Sequence, residues 1–204
     1  MALPVANNPF YTYDAYLALE EADEGVRYEY HHGEVFAMSG TTKVDNRIVR
    51  NLANRLDDHF LPRGCEVWHE QIKVEAKAKE RYYYPDLVVS CSERDQKSIL
   101  MVQDPVLIME VLSEGSQRID IYAKQTYYTK IPSLQVYIVV SQKEYVLHVY
   151  ERHLNGWSYQ VVLGKDQQLH LEYFNLTVPV ADIYKHVQFN QTTVGEEGTG
   201  AVTE

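Results

Sequence analysis

Two carboxylates stand in the middle of apolar, strand-like sequence: Asp86 in Tyr84-Pro85-Asp86-Leu87-Val88-Val89, and Glu110 in Val106-Leu107-Ile108-Met109-Glu110-Val111-Leu112. A buried carboxylate without a partner is costly, so such a group takes up a proton or binds a cation. With a strand period of two, Asp86, Val88 and Ser90 share one face, and Val106, Ile108, Glu110 and Leu112 share one face of the second run. If the two strands pair, both acids point the same way. Hard divalent cations such as Mg²⁺ or Mn²⁺ take oxygen ligands, so Asp86, Glu110 and the Val111 carbonyl make a partial octahedron that water completes. Such an ion acidifies bound water and neutralises charge growing on a phosphoryl oxygen, the two requirements of phosphodiester hydrolysis. Lys124, on the helix expected just after the Glu110 strand, is the candidate for the electrostatic partner of that transition state.

Each residue also has a plainer reading. Asp86, following a proline, suits a turn that caps a local amide. Glu110 could form a structural ion pair with Arg118 or Lys124 inside the sheet. Lys124 lies four residues after Asp120, the spacing of a solvated helical pair worth a few tenths of a kcal/mol. Glu34 fits an exposed hairpin position equally well, and Tyr128 fits the core. Metal binding is favoured for the pair because two perturbed carboxylates on neighbouring strands mark sites more often than structural pairs.

These residues must be positioned by the elements around them. Thr12 can cap a helix running to about Glu21, which Gly25 ends. Segments 27–31 and 34–38 alternate around His32-Gly33 as a β-hairpin. From Lys43 to Phe60, Val44, Ile48, Val49, Leu52, Ala53, Leu56 and Phe60 form a helical stripe opposite Arg47, Arg50, Asn54 and Asp58. A strand over 66–76, a charged turn at 77–81 and the Asp86 strand follow. A polar loop with room for a helical turn then leads to the Glu110 strand. Ser113-Glu114-Gly115-Ser116 opens a helix over about 117–129. Val136 to Val140 is a continuous apolar run, hence a central strand. Segments 145–150, 157–163 and 168–173 read as a meander, followed by a short helix over about 180–186. The order of elements gives an α/β (α+β) fold, a mixed sheet with helices against it.

The chain of 204 residues is sized for one domain, expected over 11–190 between a short N-terminal extension and a disordered Gly/Thr-rich tail at 191–204. Tyrosine is over-represented, with 17 Tyr against 5 Phe and 2 Trp, which suits strands with half-wet faces. No apolar stretch approaches a membrane span and no leader pattern opens the chain, so a cytoplasmic protein is expected. The two cysteines, Cys65 and Cys91, lack metal-ligand spacing and are expected to be buried thiols. A formal charge of −10 excludes a general nucleic-acid coat protein, yet Lys43 to Arg63 carries five basic residues against three acidic ones. The basic helix face of Lys43, Arg47 and Arg50 could track a phosphate backbone or simply be solvated.

The Pro-Asp strand, Glu110-Val-Leu-Ser, Asp120-x-x-x-Lys124-x-x-x-Tyr128 and Ile131-Pro132-Ser133-Leu134 follow one another in a specific order. With Arg27-Tyr28-Glu29-x-x-x-Gly33-Glu34 and Asn46-Arg47-Ile48-Val49-x-Asn51-Leu52 upstream, the chain resembles the Uma2 family (DUF820). That family is placed among the endonucleases of the PD-(D/E)XK restriction-endonuclease-like fold. The resemblance covers about Tyr11 to Tyr184. It implies metal-dependent cleavage of nucleic acid, with Asp86 and Glu110 as the metal-binding pair and Glu34 as a further acid near the site. Two positions depart from the pattern. Leu112 stands where a strand lysine is expected, which hands that role to Lys124, and Asp45 stands where a histidine is frequent in the first long helix.

The expected function is therefore Mg²⁺- or Mn²⁺-dependent hydrolysis of DNA by a homodimer, one site per strand of a duplex. Two alternatives compete: a nucleic-acid-binding or interaction protein that keeps the fold without turnover, and a phosphodiesterase acting on RNA or a small substrate.

Overall fold

The computed structural model describes residues 3–4, 10–22, 25–38, 40–112 and 118–189, with the side chains of 3–4 and 118–121 left aside. Residues 113–117, the expected tail at 191–204, most of the expected N-terminal extension and the side chains of Arg118 and Asp120 lie outside the described residues.

After a two-residue strand β1 (Leu3–Pro4), helix α1 spans Tyr13–Ala22, its first turn capped by Thr12 Oγ1, which accepts the Ala15 amide at 3.2 Å. Strands β2 (Tyr28–His31) and β3 (Glu34–Ala37) form the expected hairpin. His32 and Gly33 supply positive φ at the turn (50° and 101°), and a Cβ on Gly33 would run into the Phe10 ring. Helix α2 (Lys43–Phe60) opens on a capping box in which Thr42 and Asp45 satisfy each other's amides, and it stops at the 3₁₀ turn Leu61–Arg63.

The expected single strand over 66–76 is two strands, β4 (Glu66–His69) and β5 (Lys73–Lys77), in different sheets. Glu70 and Gln71 both take positive φ (56° and 60°), which turns the chain out of one sheet and into the other. The chain crosses back at Tyr84-Pro85-Asp86, between β6 (Arg81–Tyr83) and β7 (Leu87–Ser90). Pro85 has no amide to donate, so the ladder breaks there and Asp86 lies just ahead of its strand rather than within it.

Helix α3 (Glu93–Lys97) and β8 (Met101–Val102) occupy the polar connection. Then come β9 (Pro105–Leu112), α4 (Arg118–Tyr128), β10 (Val136–Ser141), β11 (Val146–His153) and β12 (Gly156–Leu163). The expected meander ends at β12. Strand β13 (Gln168–Leu171) leaves to pair with β14 (Leu176–Pro179), a strand the alternation did not reveal, through a turn at Asn175 with φ 50°. Helix α5 (Val180–Ile183) follows.

The two large sheets are mixed, with orders β1-β3-β2-β6-β5-β8 and β12-β11-β10-β9-β7-β4. One face of the second sheet packs Leu87, Val89, Met109 and Ile138 against Ile48, Leu52 and Leu56 of α2 and against Val180 and Ile183 of α5. Its other face packs Val88, Ile108 and Tyr137 against Tyr128 of α4 and against Val74 and Tyr83 of the first sheet. Tyr16, Tyr28, Tyr30 and Tyr82 make a third cluster between α1 and the hairpin, with the Tyr16 and Tyr30 rings stacked 4.9 Å apart. This is where many of the tyrosines are used. The interior strand β9 is thus covered on both faces, and Glu110 sits within it.

Cys65 and Cys91 form a disulfide, which corrects the expectation of two buried thiols. They flank paired strands: Glu66 is the register partner of Ser90, so one step outward sets Cys65 against Cys91. Sequence spacing of 26 residues carries no hint of that register. Among the described residues no helix is long and apolar enough to cross a membrane.

Candidate active site

The site is set by strand register. Leu87 is the partner of Met109, so continuing the antiparallel pairing by one step brings Asp86 opposite Glu110. The Asp86 carboxylate replaces a ladder acceptor: its Oδ2 takes the Val111 amide at 2.6 Å, and the Asp86 carbonyl takes the Glu70 amide at 3.2 Å. The N–H and C=O of one strand residue point to the same edge, so the Val111 carbonyl is turned toward Asp86 as well. Its register partner would be Pro85, which has no N–H to give.

Lys124 and Tyr128 lie one turn apart on α4, and both reach Glu110. Lys124 Nζ is 3.5 Å from Glu110 Oε1, and the Tyr128 hydroxyl donates to the same oxygen at 3.0 Å. A fourth group comes from the hairpin: Glu29 Oε1 is 2.7 Å from Lys124 Nζ and accepts the Tyr84 amide at 3.3 Å. Glu29, Glu110 and Lys124 are 2%, 7% and 7% exposed, while Asp86 is half-buried at the mouth of the cluster.

One lysine therefore faces three carboxyl groups, and it does not serve them equally. Burial would raise Glu29, but Lys124 and His31 more than offset it and hold the group down at about 2. Burial pushes Glu110 up to about 8, opposed by Lys124 and reinforced by Asp86. Burial also lifts Asp86 to about 6 against the lowering effect of the Val111 amide, and nearby Asp45 adds to the rise. Glu29 and Lys124 form the ion pair, and Asp86 and Glu110 are left short of positive charge.

Of the acids expected from sequence, Asp86 and Glu110 come together and Lys124 joins them. Glu34 shares the hairpin face of Glu29 and His31 but lies at the turn, exposed to solvent. The buried acid on that hairpin is Glu29, which the sequence reading did not single out. No local signal marked it: alternating with Tyr28 and Tyr30, Glu29 falls where a two-residue period puts a solvent-facing side chain. Asp45 closes the α2 capping box, its carboxylate accepting the Thr42 amide at 3.1 Å.

A hard cation fits the donors at Asp86, Glu110 and the Val111 carbonyl, which are all oxygens, two of them from carboxyl groups short of positive charge. Among the described residues no three His, Cys, Asp or Glu side chains converge as a complete cage would, so water would fill the remaining positions.

The Uma2 family model, described as "Putative restriction endonuclease", matches residues 13–181. This chain belongs to the Uma2 family. It is 30% identical to the uncharacterized protein slr1290 of Synechocystis sp. over 91% of this chain and 97% of that one. It is 28% identical to the uncharacterized protein sll1609 of the same organism as slr1290, over 84% of this chain and 98% of that one. A crystal structure of a "putative nuclease belonging to DUF820" from Anabaena variabilis superposes with a TM-score of 0.71 at 16% identity, covering 85% of this chain and 97% of the other. At that identity the likeness establishes the fold. The Uma2 match makes the chain a member of a nuclease-type family.

Proposed function

We propose that this Uma2 protein is a divalent-metal-dependent endonuclease that hydrolyses DNA phosphodiester bonds with an activated water. The observation that carries the reading is the charge shortfall at Asp86 and Glu110: two carboxyl groups face each other while the nearest ammonium is held more closely by Glu29. Asp86 and Glu110, with the Val111 carbonyl, would hold Mg²⁺ or Mn²⁺. When bound, the cation supplies an acidified water and neutralises charge on the phosphoryl oxygens.

The side chains divide the remaining work. Asp86 and Glu110 would hold the ion as carboxylates, so Glu110, raised to about 8, would have to part with its proton at neutral pH. Tyr128 fixes the orientation of Glu110 through the bond to Oε1. Lys124 offers its ammonium beside Glu110, where negative charge grows at the scissile phosphate, and so takes over the task that Leu112 cannot perform. Glu29 orients Lys124. Glu34, exposed at the hairpin turn, is retained as an acid at the rim, outside the ligand set. Lys43 and Arg50, exposed on α2, and Arg47 beside them are suited to the phosphate backbone of a duplex.

Calorimetric titration with Mn²⁺ tests the ligand pair: wild type binds and Asp86→Ala does not, and equal binding by both sinks the metal site. Nicking of supercoiled plasmid in Mg²⁺ then separates an enzyme from a binding protein on the same fold. A Lys124→Ala variant that nicks like wild type would retire the helix-borne lysine. The binding-protein reading has one observation of its own, the enclosure of Lys124 between Glu29 and Glu110, and it wins if metal binds while plasmid stays intact.

A further inference from the structure

We propose that the outer edge of β12 is the docking surface for a second copy of this chain, strand against strand about a twofold axis. The inference stands independently of the nuclease reading, although it supplies the two-site arrangement that cutting a duplex calls for.

Among the described residues, strand β12 ends its sheet and is paired with β11 alone. Exposed edges present unpaired amides and carbonyls, and proteins protect them with charge, proline, bulges or brevity. This edge has none of those. Gly156-Trp157-Ser158-Tyr159-Gln160-Val161-Val162-Leu163 holds no charged residue and no proline, and its pairing with β11 runs unbroken from His153↔Gly156 to Val146↔Leu163. The opposite edge of the same sheet is treated differently. Strand β4 has four residues, exposes Glu66 and His69 at its ends, and is tied to β7 by the disulfide.

The β12 edge is also apolar. Tyr159, Val161 and Leu163 are 54%, 48% and 67% exposed, and Leu154 in the preceding turn is fully exposed. Two copies of a chain with a formal charge of −10 repel overall, and a contact surface that carries no acid adds no local repulsion to that. The β12 strand is such a surface.

Its sequence is complementary to itself in one register. With the twofold at Gln160, Tyr159 stands opposite Val161 and Trp157 opposite Leu163 on one face of the joined sheet. Aromatic residues against aliphatic or β-branched ones are favourable cross-strand pairs. Shifting the axis to Tyr159 leaves Leu163 against Asn155, and shifting it to Val161 sets Trp157 against Lys165. The Gln160 axis matches every large exposed apolar side chain of the strand.

Sedimentation equilibrium of the full chain, from low to high micromolar concentration, should give twice the chain mass. Val161→Lys should be monomeric with an unchanged circular dichroism spectrum and melt, whereas Leu100→Lys, at a 73% exposed site away from this edge, should stay dimeric. Gln160→Cys faces its own copy at about 4.5–5.5 Å between Cα atoms, so mild oxidation should convert it to a covalent dimer. A wild-type chain that is monomeric throughout overturns the proposal, including one that instead captures single-stranded oligonucleotide through Tyr159. So does a dimer that survives Val161→Lys, or one in which Gln160→Cys does not cross-link.

Discussion

Glu29 Oε1 lies 2.7 Å from Lys124 Nζ, closer than the 3.5 Å between that ammonium and Glu110 Oε1. The lysine that a nuclease would aim at phosphate is thus held from behind by an acid on a different sheet. Removing the lysine strands two buried acids, whereas removing Glu29 leaves Lys124 free to turn fully to Glu110. Lys124→Met should therefore cost about 3–5 kcal/mol, the usual penalty for breaking a buried pair from one side. Glu29→Gln should cost less. Urea unfolding of both variants without metal decides it, and a larger loss in Glu29→Gln would overturn this account of the pair.

The three acids predict opposite pH trends in the metal-free protein. Glu110 is raised to about 8 and Asp86 to about 6, so the folded state binds more protons than the unfolded state above about pH 4. Their contribution turns against folding as pH rises, and the penalty from Glu110 is complete only above about pH 8. Glu29, lowered to about 2, has the reverse sign: its stabilising contribution is present above the unfolded value of 4.5 and disappears as pH falls toward 2. Melting Glu110→Gln beside wild type should show the variant gaining on wild type between pH 4.5 and 8. Saturating Mn²⁺ at pH 8 should narrow the difference. A gap that is flat with pH would contradict the placement of Glu110.

Much of this was legible in the sequence because the informative residues violate an apolar pattern. Asp86 and Glu110 interrupt runs of Val, Leu and Ile, and the turn at His32-Gly33 and the stripe on α2 are local signals that survive folding intact. What the sequence hid depends on non-local geometry. The split of 66–76 into β4 and β5 rests on Glu70 and Gln71 adopting a left-handed backbone, which neither residue type advertises. Glu29 looked like an ordinary solvent-facing position in an alternating strand. It is buried because the other face of the hairpin is already taken by Tyr28, Tyr30 and α1, a fact of sheet packing. Strand β14 was missed because four residues carry too little periodicity to separate from a loop.

Tyr128 is a core residue whose hydroxyl has a partner. The ring is wholly buried, 5.2 Å from the Tyr83 ring centroid and 5.4 Å from that of Tyr137, while the hydroxyl reaches Glu110. Tyr128→Phe keeps the packing and loses one hydrogen bond to a buried carboxyl, a cost of about 1–3 kcal/mol. Tyr128→Ala also opens a cavity, for about 3–5 kcal/mol. Denaturation midpoints would show the two steps separately. Equal losses would mean that the ring contributes little and the hydroxyl almost everything.

The disulfide gives a prediction that does not involve the site. Cys65 and Cys91, 26 positions apart, close a loop containing β4, β5, β6 and β7, so the crossings at Glu70-Gln71 and at Tyr84-Pro85-Asp86 lie inside it. Cross-linking a loop of that length removes unfolded-state entropy worth about 3 kcal/mol. Because register already pairs Glu66 with Ser90, the native geometry of β4 and β7 does not depend on the bond. A Cys65→Ala/Cys91→Ala variant should keep the wild-type circular dichroism spectrum and melt several degrees lower. Wild type melted in excess reductant should reproduce the variant, and a wild-type melt insensitive to reductant would show that the bond contributes nothing to stability.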